Sequence, residues 1–160
     1  MMLHIKTAHN LLRLFYPDFV EIGGAVFLAD SLPQGGRPSL APDRAAAESL
    51  INHVHILDRF RHDAGLDGNN PEGVFYDRGH PDFQLGCEVA KKVALIGRQK
   101  LKAEFPDYRF RVYYTEEDNP IIRFHRVREG EPVWLDESGW SKEVARGKVI
   151  VYDTAAPVAS

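Results

Sequence analysis

The densest cluster of reactive side chains in the sequence runs from Asp77 to Asp82, directly before a long helical pattern. Asp77 and His80 could form an orienting acid–base pair, and Arg78 could contact an anion, which together would equip a hydrolase-like site. No nucleophile or second base is identifiable nearby in the sequence. The alternative is a capped helix start, with Pro81 in the first helical turn. Asp77, Arg78 and His80 are therefore the catalytic candidates of a secondary, hydrolase-like hypothesis.

A second group of side chains suits binding and lies on a predicted β-meander around 108–136, whose first two strands form a hairpin at residues 108–126. Strand residues alternate between the two faces of a sheet, so one hairpin face is apolar and the other collects arginine, tyrosine and histidine. Arg, Tyr and Trp dominate the energetics of protein interfaces, and Arg also binds carboxylates and phosphates. The predicted binding residues are Arg109, Arg111, Tyr113, Arg123, His125 and Trp134. The alternative is a solvated sheet face whose arginine stems cover apolar surface.

The register of this hairpin follows from its apolar face. Residues directly opposite each other in an antiparallel pair point to the same side of the sheet. Placing Val112 opposite Phe124 and Tyr114 opposite Ile122 joins the two apolar faces. A slip of one residue would turn Arg123 into the core, at a high cost in desolvation. The sequence therefore predicts this register, with an odd loop of three or five residues.

The order of the remaining patterns predicts an α+β fold in a single domain, residues 1–154, followed by a frayed tail at 155–160. Helices are expected near 43–62 and 83–105, packed on one face of an antiparallel sheet whose other face stays open. The predicted strands are a meander around 108–136, including a short strand at 133–135, and further strands near 19–28 and 148–153. The alternation breaks at Arg126, which predicts either a bulge there or the end of the strand.

Histidines within the predicted helix at 43–62 raise the question of a metal site. His53 and His55 lie two residues apart, so on a helix they point about 200° apart and cannot chelate one ion, whereas on a strand they could. On the helix, His55, Asp58 and His62 share one polar stripe. Arg59 in the same stripe opposes a cation. The sequence therefore predicts no metal site and no cofactor.

Composition limits the classes of function. The chain has 160 residues, 44% of them hydrophobic and 27% charged, with a net charge of −3. These values are typical of one globular domain, and the acidic balance disfavours nucleic acid as a partner. Cys87 is the single cysteine, which excludes an internal disulfide and a Cys-rich zinc site and predicts a reducing, cytoplasmic location. The sequence contains no run of about 18 apolar residues, so no membrane span is expected.

No motif in the sequence specifies a reaction, so the functional hypothesis rests on the arginine-rich hairpin face. We expect a small, soluble, non-enzymatic interaction protein, such as an inhibitor or an immunity-type protein, that recognises an acidic protein partner or an anion. The alternative is a hydrolase-like enzyme with a site around Asp77–His80. Single-stranded nucleic acid is a weaker third ligand class, because tyrosine and arginine can stack on bases but the net charge is acidic. The sequence leaves the oligomeric state open.

Overall fold

The computed structural model describes residues 4–33, 38, 43–65 and 76–155, and the predicted C-terminal tail lies outside these ranges from residue 156 onward. Helices and antiparallel strands make an α+β fold with helix packing on sheet, which confirms the predicted fold class. The helices and strands, in chain order, are α1 (Ile5–Phe15), β1 (Phe19–Ile22), β2 (Ala25–Leu28), α2 (Arg44–Ile51), β3 (His53–His55), α3 (Pro81–Glu104), β4 (Phe110–Glu116), β5 (Pro120–Arg126), α4 (Ser141–Ala145) and β6 (Val149–Asp153). Within the described ranges, no helix has both the length and the apolar character needed to cross a membrane.

The strands near 19–28 form a sheet of their own, although the sequence predicted that they join the larger one. β1 and β2 are an antiparallel hairpin closed by a Gly-Gly turn with positive φ angles, which only glycine adopts easily. The Val26 N–H of β2 donates to the Glu48 carboxylate over 2.7 Å. The Leu28 N–H donates to the side-chain oxygen of Asn52 over 2.9 Å. These two side chains occupy the edge of β2 that another strand would need.

The larger sheet has the strand order β3-β5-β4-β6, and every neighbouring pair is antiparallel. The predicted register of its central hairpin is confirmed. Val112 pairs with Phe124, and Tyr114 pairs with Ile122. The loop between the strands has three residues, 117–119, as the odd spacing required.

The predicted meander stops after two strands. β5 ends at Arg126 without a bulge. Alternation requires an apolar side chain at this position, and the Arg126 guanidinium takes its place by lying over the Tyr108 ring, 3.4 Å from the ring centre. The third strand expected at 133–135 is not formed. The chain crosses the sheet face there, and the Trp134 N–H donates to a ring nitrogen of His125 over 3.3 Å instead of to a strand partner.

The helix predicted near 43–62 ends at Ile51 and is followed by a strand. Asn52 ends it because its buried side-chain amide donates to a β2 backbone carbonyl over 2.7 Å, a contact that fixes the side chain outside the helix. Residues of β3 then pair with β5 at the edge of the larger sheet. Val54 packs against the core from β3, and Leu57 packs there from a short 3₁₀ helix, Leu57–Arg59.

The long helix predicted at 83–105 is observed as α3. It begins where His80 accepts a hydrogen bond from the Asp82 N–H over 3.1 Å. α3 packs on the apolar face of the larger sheet, and the buried residues at this contact include Phe83, Ala90, Ala94, Leu101, Phe110, Val112 and Tyr114. Cys87 is 3% exposed, and burial raises the pKa of its thiol, as expected for a cysteine of the core.

The opposite face of the larger sheet is covered, contrary to the prediction that it stays open. Residues 127–140 cross it and bury Tyr113 and His125, which are 0% and 1% exposed. The half-buried Trp134 meets the Tyr113 ring edge-on at 5.2 Å, and the buried Leu135 packs beside them. Burial of these aromatic rings contributes to holding the crossing segment on the sheet. We call Tyr113, His125, Trp134 and Leu135 the sealed face.

One buried carboxylate, Glu48 of α2, joins the two sheets. Its side chain is 0% exposed. One carboxylate oxygen accepts from the Val26 N–H of β2 over 2.7 Å, and the other accepts from the Arg126 N–H at the end of β5 over 3.0 Å. Arg128 donates to both oxygens, over 2.8 and 2.9 Å. The buried charge is therefore both neutralised and hydrogen-bonded, as a charge in a protein interior must be.

Candidate functional site

The predicted catalytic candidates form a capped turn. Asp77 accepts a hydrogen bond from the Gly79 N–H over 2.9 Å, and His80 Nδ1 accepts one from the Asp82 N–H over 3.1 Å. Both side chains therefore serve the helix start, while Arg78 is exposed. The His80 N–H donates to the Asp77 backbone carbonyl over 3.1 Å, but no contact among the described residues pairs their side chains. The structure thus places these residues as the capped-turn alternative describes and does not bring them into an acid–base arrangement.

Two of the six predicted binding residues are buried in the sealed face and bonded to each other. His125 Nδ1 lies 2.9 Å from the Arg126 carbonyl oxygen, which can only accept, so Nδ1 carries the proton. His125 Nε2 therefore accepts from the Tyr113 hydroxyl, 2.8 Å away. Burial lowers the pKa of His125 and raises the pKa of Tyr113 to about 12. Neither side chain is accessible to a partner.

Two of the predicted arginines are neutralised by carboxylates of the chain itself. Arg109 donates from Nε and Nη2 to Asp153, with distances of 3.0 and 2.5 Å. Arg111 donates to Glu137 over 2.9 Å, and its Nε lies 3.7 Å from the same Asp153. These pairs lower the pKa of Asp153, although its partial burial acts in the opposite direction. The like charges that had indicated an external anion therefore have internal partners.

The remaining two predicted residues, Arg123 and Trp134, border a small cleft of about 290 Å³. The Arg123 guanidinium lies 4.7 Å from the centre of the Trp134 ring, and its Nε is buried without a hydrogen-bond partner among the described residues. The charged side chains that line the cleft are Arg123, Lys148, Glu116, Glu117 and Glu143. Carboxylates outnumber cations here, which does not favour an acidic partner. Partner binding at the hairpin stays a prediction.

A larger cavity, of about 640 Å³, lies beneath α1, and sequence reasoning missed it. We call it the α1 cavity. α3 and strands β4 and β5 form its floor, the β1–β2 hairpin one side, and residues 52–61 the other side. Apolar cavities of a few hundred Å³ with a small number of polar groups are the usual form of small-ligand sites.

The floor of the α1 cavity is apolar and deep. It is formed by residues that are at most 8% exposed, among them Leu28, Val93, Ala94, Leu101, Val112, Ile122 and Phe124. Gly97 of α3 also lines it, and a Cβ atom built there meets no heavy atom within 4 Å. Glycine costs a helix interior roughly 1 kcal/mol relative to alanine. At this position the missing side chain widens the cavity.

The roof of the α1 cavity is a helix with no buried residue. Leu11 and Leu14 of α1 line the cavity and are half-buried, while Leu12 on another face of the helix is 65% exposed. The chain after α1 is fixed to α3, because Lys100 donates to the Pro17 carbonyl over 2.7 Å. The roof is therefore attached near its C-terminal end and only lightly packed along its length.

The ionisable side chains that line the α1 cavity, within the part of the chain that the structure describes, are exposed. They are Arg13, Asp30, Asp58, Arg59 and Arg61. Arg13 forms an ion pair with Asp30, and Asp58 accepts a hydrogen bond over 3.0 Å from a side-chain amide of the β4–β5 loop. Arg59 and Arg61 form no ion pair with any other described residue. We call these five residues the mouth of the α1 cavity.

His53 and His55 lie on β3 and so share one face of a strand, which the helical interpretation excluded. Their rings meet edge to face, with centroids 5.3 Å apart. His53 Nδ1 lies 2.5 Å from the Leu50 carbonyl oxygen, and His55 Nδ1 lies 3.9 Å from Asp58. Within the described ranges, no group of three or more His, Cys, Asp and Glu side chains is arranged to hold a metal ion.

The chain was compared with protein-family models, with curated proteins and with solved structures, and none of them matches it. The functional argument therefore rests on the geometry of the site.

Proposed function

We propose that this protein is a non-enzymatic binding protein that takes up a small, largely apolar ligand in the α1 cavity. The observation that carries the proposal is the cavity itself: about 640 Å³, with an apolar floor and, among the described lining residues, charged groups only at the mouth. Protein interiors are normally packed without gaps of this size, because side chains that border a gap lose attractive contacts. An apolar ligand on the floor would supply those contacts.

The distribution of charge favours binding over catalysis. A catalytic acid or base usually lies in a cleft where burial or a neighbouring charge tunes its pKa to the reaction. The ionisable side chains among the described lining residues are exposed instead. Asn52 is the buried polar lining residue next to the floor, and its side chain is bonded to the backbone at Leu28 and Val26. The floor thus offers shape and apolar area to a ligand.

The test uses N-phenyl-1-naphthylamine, a neutral apolar dye whose fluorescence rises in apolar surroundings. We expect the protein to bind one dye molecule saturably. Gly97→Phe should weaken this binding at least about 10-fold, because the ring would occupy the cavity above the floor. Gly139→Phe is the matched control, since Gly139 also faces open space but does not line the cavity.

Near-ultraviolet circular dichroism would show that both variants are folded. Absence of saturable dye binding to the wild-type protein would refute the proposal. So would an equal loss of dye binding in the Gly97→Phe and Gly139→Phe variants.

A further inference from the structure

We propose that the ligand of the α1 cavity is an amphipathic anion, whose carboxylate, or chemically similar sulfonate, is bound by Arg59 and Arg61 while its apolar body lies on the floor. This inference rests on the proposed function and names the chemical class of its ligand. Two observations carry it: the charge at the mouth of the cavity and the position of the two arginines relative to the apolar floor.

The charges at the mouth leave two cations without a partner. Arg13 and Asp30 neutralise each other in an ion pair. Asp58 is hydrogen-bonded to the β4–β5 loop, and its carboxylate lies 3.9 Å from Nδ1 of His55. Arg59 and Arg61 have no ion-pair partner among the described residues. The mouth is locally positive although the net charge of the chain is −3, so the positive charge is specific to the mouth and does not reflect the overall composition.

The two arginines lie on either side of Phe60 at the mouth of the cavity. Phe60 ends the short 3₁₀ helix at Leu57–Arg59 in an extended conformation, φ −129° and ψ 150°. Phe60 packs against the hydrophobic core. Arg59 and Arg61 are exposed, and both line the cavity beside the apolar floor.

An anion satisfies this arrangement better than a neutral or a cationic head group. Arginine presents a planar fork of N–H donors that matches the two oxygens of a carboxylate, and such charge-assisted hydrogen bonds are stronger than neutral ones. A cationic head group would be repelled by both arginines. Thr7, Asn10 and Ser31 also line the cavity and offer hydroxyl and amide groups, which suit either kind of head group and do not decide between them.

The test compares two dyes that share an apolar body. 8-Anilinonaphthalene-1-sulfonate carries a sulfonate, and N-phenyl-1-naphthylamine lacks it. We expect the double variant Arg59→Gln, Arg61→Gln to weaken binding of the sulfonate dye at least about 10-fold, because two charge-assisted contacts are lost. Binding of the neutral dye should change less than about 2-fold, because the floor is intact.

The matched control is Arg78→Gln with Arg146→Gln, which removes the same charge from two exposed sites that do not line the cavity. The control should leave binding of both dyes unchanged. The inference is overturned if the Arg59, Arg61 double variant binds the sulfonate dye as the wild type does, if it loses both dyes equally, or if the control variant loses the sulfonate dye to the same extent. In each of these cases the proposed function still stands if the wild-type protein binds the neutral dye, whereas failure of the wild type to bind either dye refutes both proposals.

Discussion

One face of the larger sheet meets the crossing segment 127–140, and the other meets α3 and the α1 cavity. On the sealed face, Tyr113 and His125 are at most 1% exposed, and their polar atoms are bonded to each other. On the cavity face, Val112 and Phe124 border a volume of about 640 Å³. The face that carries charges is therefore closed over Tyr113 and His125 and borders a cleft of about 290 Å³ beside Arg123, whereas the face that carries apolar residues borders the larger volume.

This difference shows that the polarity of a sheet face does not determine whether other segments of the chain pack over it. Arg109 and Arg111 are paired with Asp153 and Glu137, which come from β6 and from the segment that crosses the face. On the cavity face, Gly97 of α3 lines the cavity without a side chain, and a Cβ atom built there meets no heavy atom within 4 Å. Alternation along a strand predicts which residues share a face, but packing of distant segments decides whether the face is accessible.

The largest expected effect is the difference in lost stability between two variants, each of which truncates one side chain on one of the two faces. Tyr113→Ala should lower the free energy of unfolding by about 3–5 kcal/mol, because it removes a fully buried ring from a closed face. Leu14→Ala should cost only about 1 kcal/mol, since Leu14 is half-buried and already borders the cavity. Urea denaturation measures both values. Equal costs would mean that the cavity face is as closely packed as the sealed face.

Substituting two glycines of α3 by alanine should have smaller effects on the free energy of unfolding, of opposite sign at the two positions. Gly97→Ala should stabilise the protein by about 0.5–1 kcal/mol, because alanine favours the helix and its Cβ meets open space. Gly86→Ala should destabilise it by about 1–2 kcal/mol, because the new Cβ would lie 2.8 Å from Cδ2 of the buried Leu57. Thermal unfolding of the two variants measures the contrast. Destabilisation by Gly97→Ala would show that the space above Gly97 is filled.

The smallest expected effect is a pH dependence of the free energy of unfolding that arises from His125 on the sealed face. Burial lowers the pKa of His125, so the unfolded chain takes up a proton at the ordinary histidine pKa of about 6.5, whereas the folded protein takes it up only at lower pH. The unfolded state then binds more protons, and the free energy of unfolding falls as the pH drops below about 6.5, down to the folded pKa.

The variant His125→Gln keeps a hydrogen-bonding group at this position and removes its titration. Between pH 7.5 and pH 5.5 the wild-type protein should lose more stability than this variant, as measured by urea denaturation at each pH. Parallel loss in both proteins would show that His125 is not held neutral by the sealed face.

Local patterns were sufficient to predict the central hairpin and the long helix. The pairing of Tyr114 with Ile122 follows from alternation within neighbouring segments, which requires no knowledge of the rest of the chain. The same reasoning placed α3, where Pro81 and His80 mark the start of the helix. It misplaced the end of α2, because Asn52 is bonded to β2, a contact between residues 24 to 26 positions apart.

The candidate site could not be predicted in the same way, because distant elements build it. Two local signals were present: the apolar stripe of α3 contains Gly97, and α1 has apolar residues on more than one face. The volume between them also depends on the β1–β2 hairpin and on residues 52–61. The predicted binding face is covered for a related reason. The segment around Trp134 covers it, and this segment has no periodic pattern from which its position on the sheet could be predicted.

The buried Glu48 also bears on the order in which the chain folds. Its carboxylate joins Val26 and Arg126, which lie 22 and 78 residues from it along the chain. Closing a loop of 78 residues is slow and entropically costly, so the β1–β2 hairpin and the β4–β5 hairpin can each form before Glu48 connects them. Contacts that form after the transition state affect mainly the unfolding rate. We therefore expect Glu48 to set how long the folded protein persists, more than how quickly it forms.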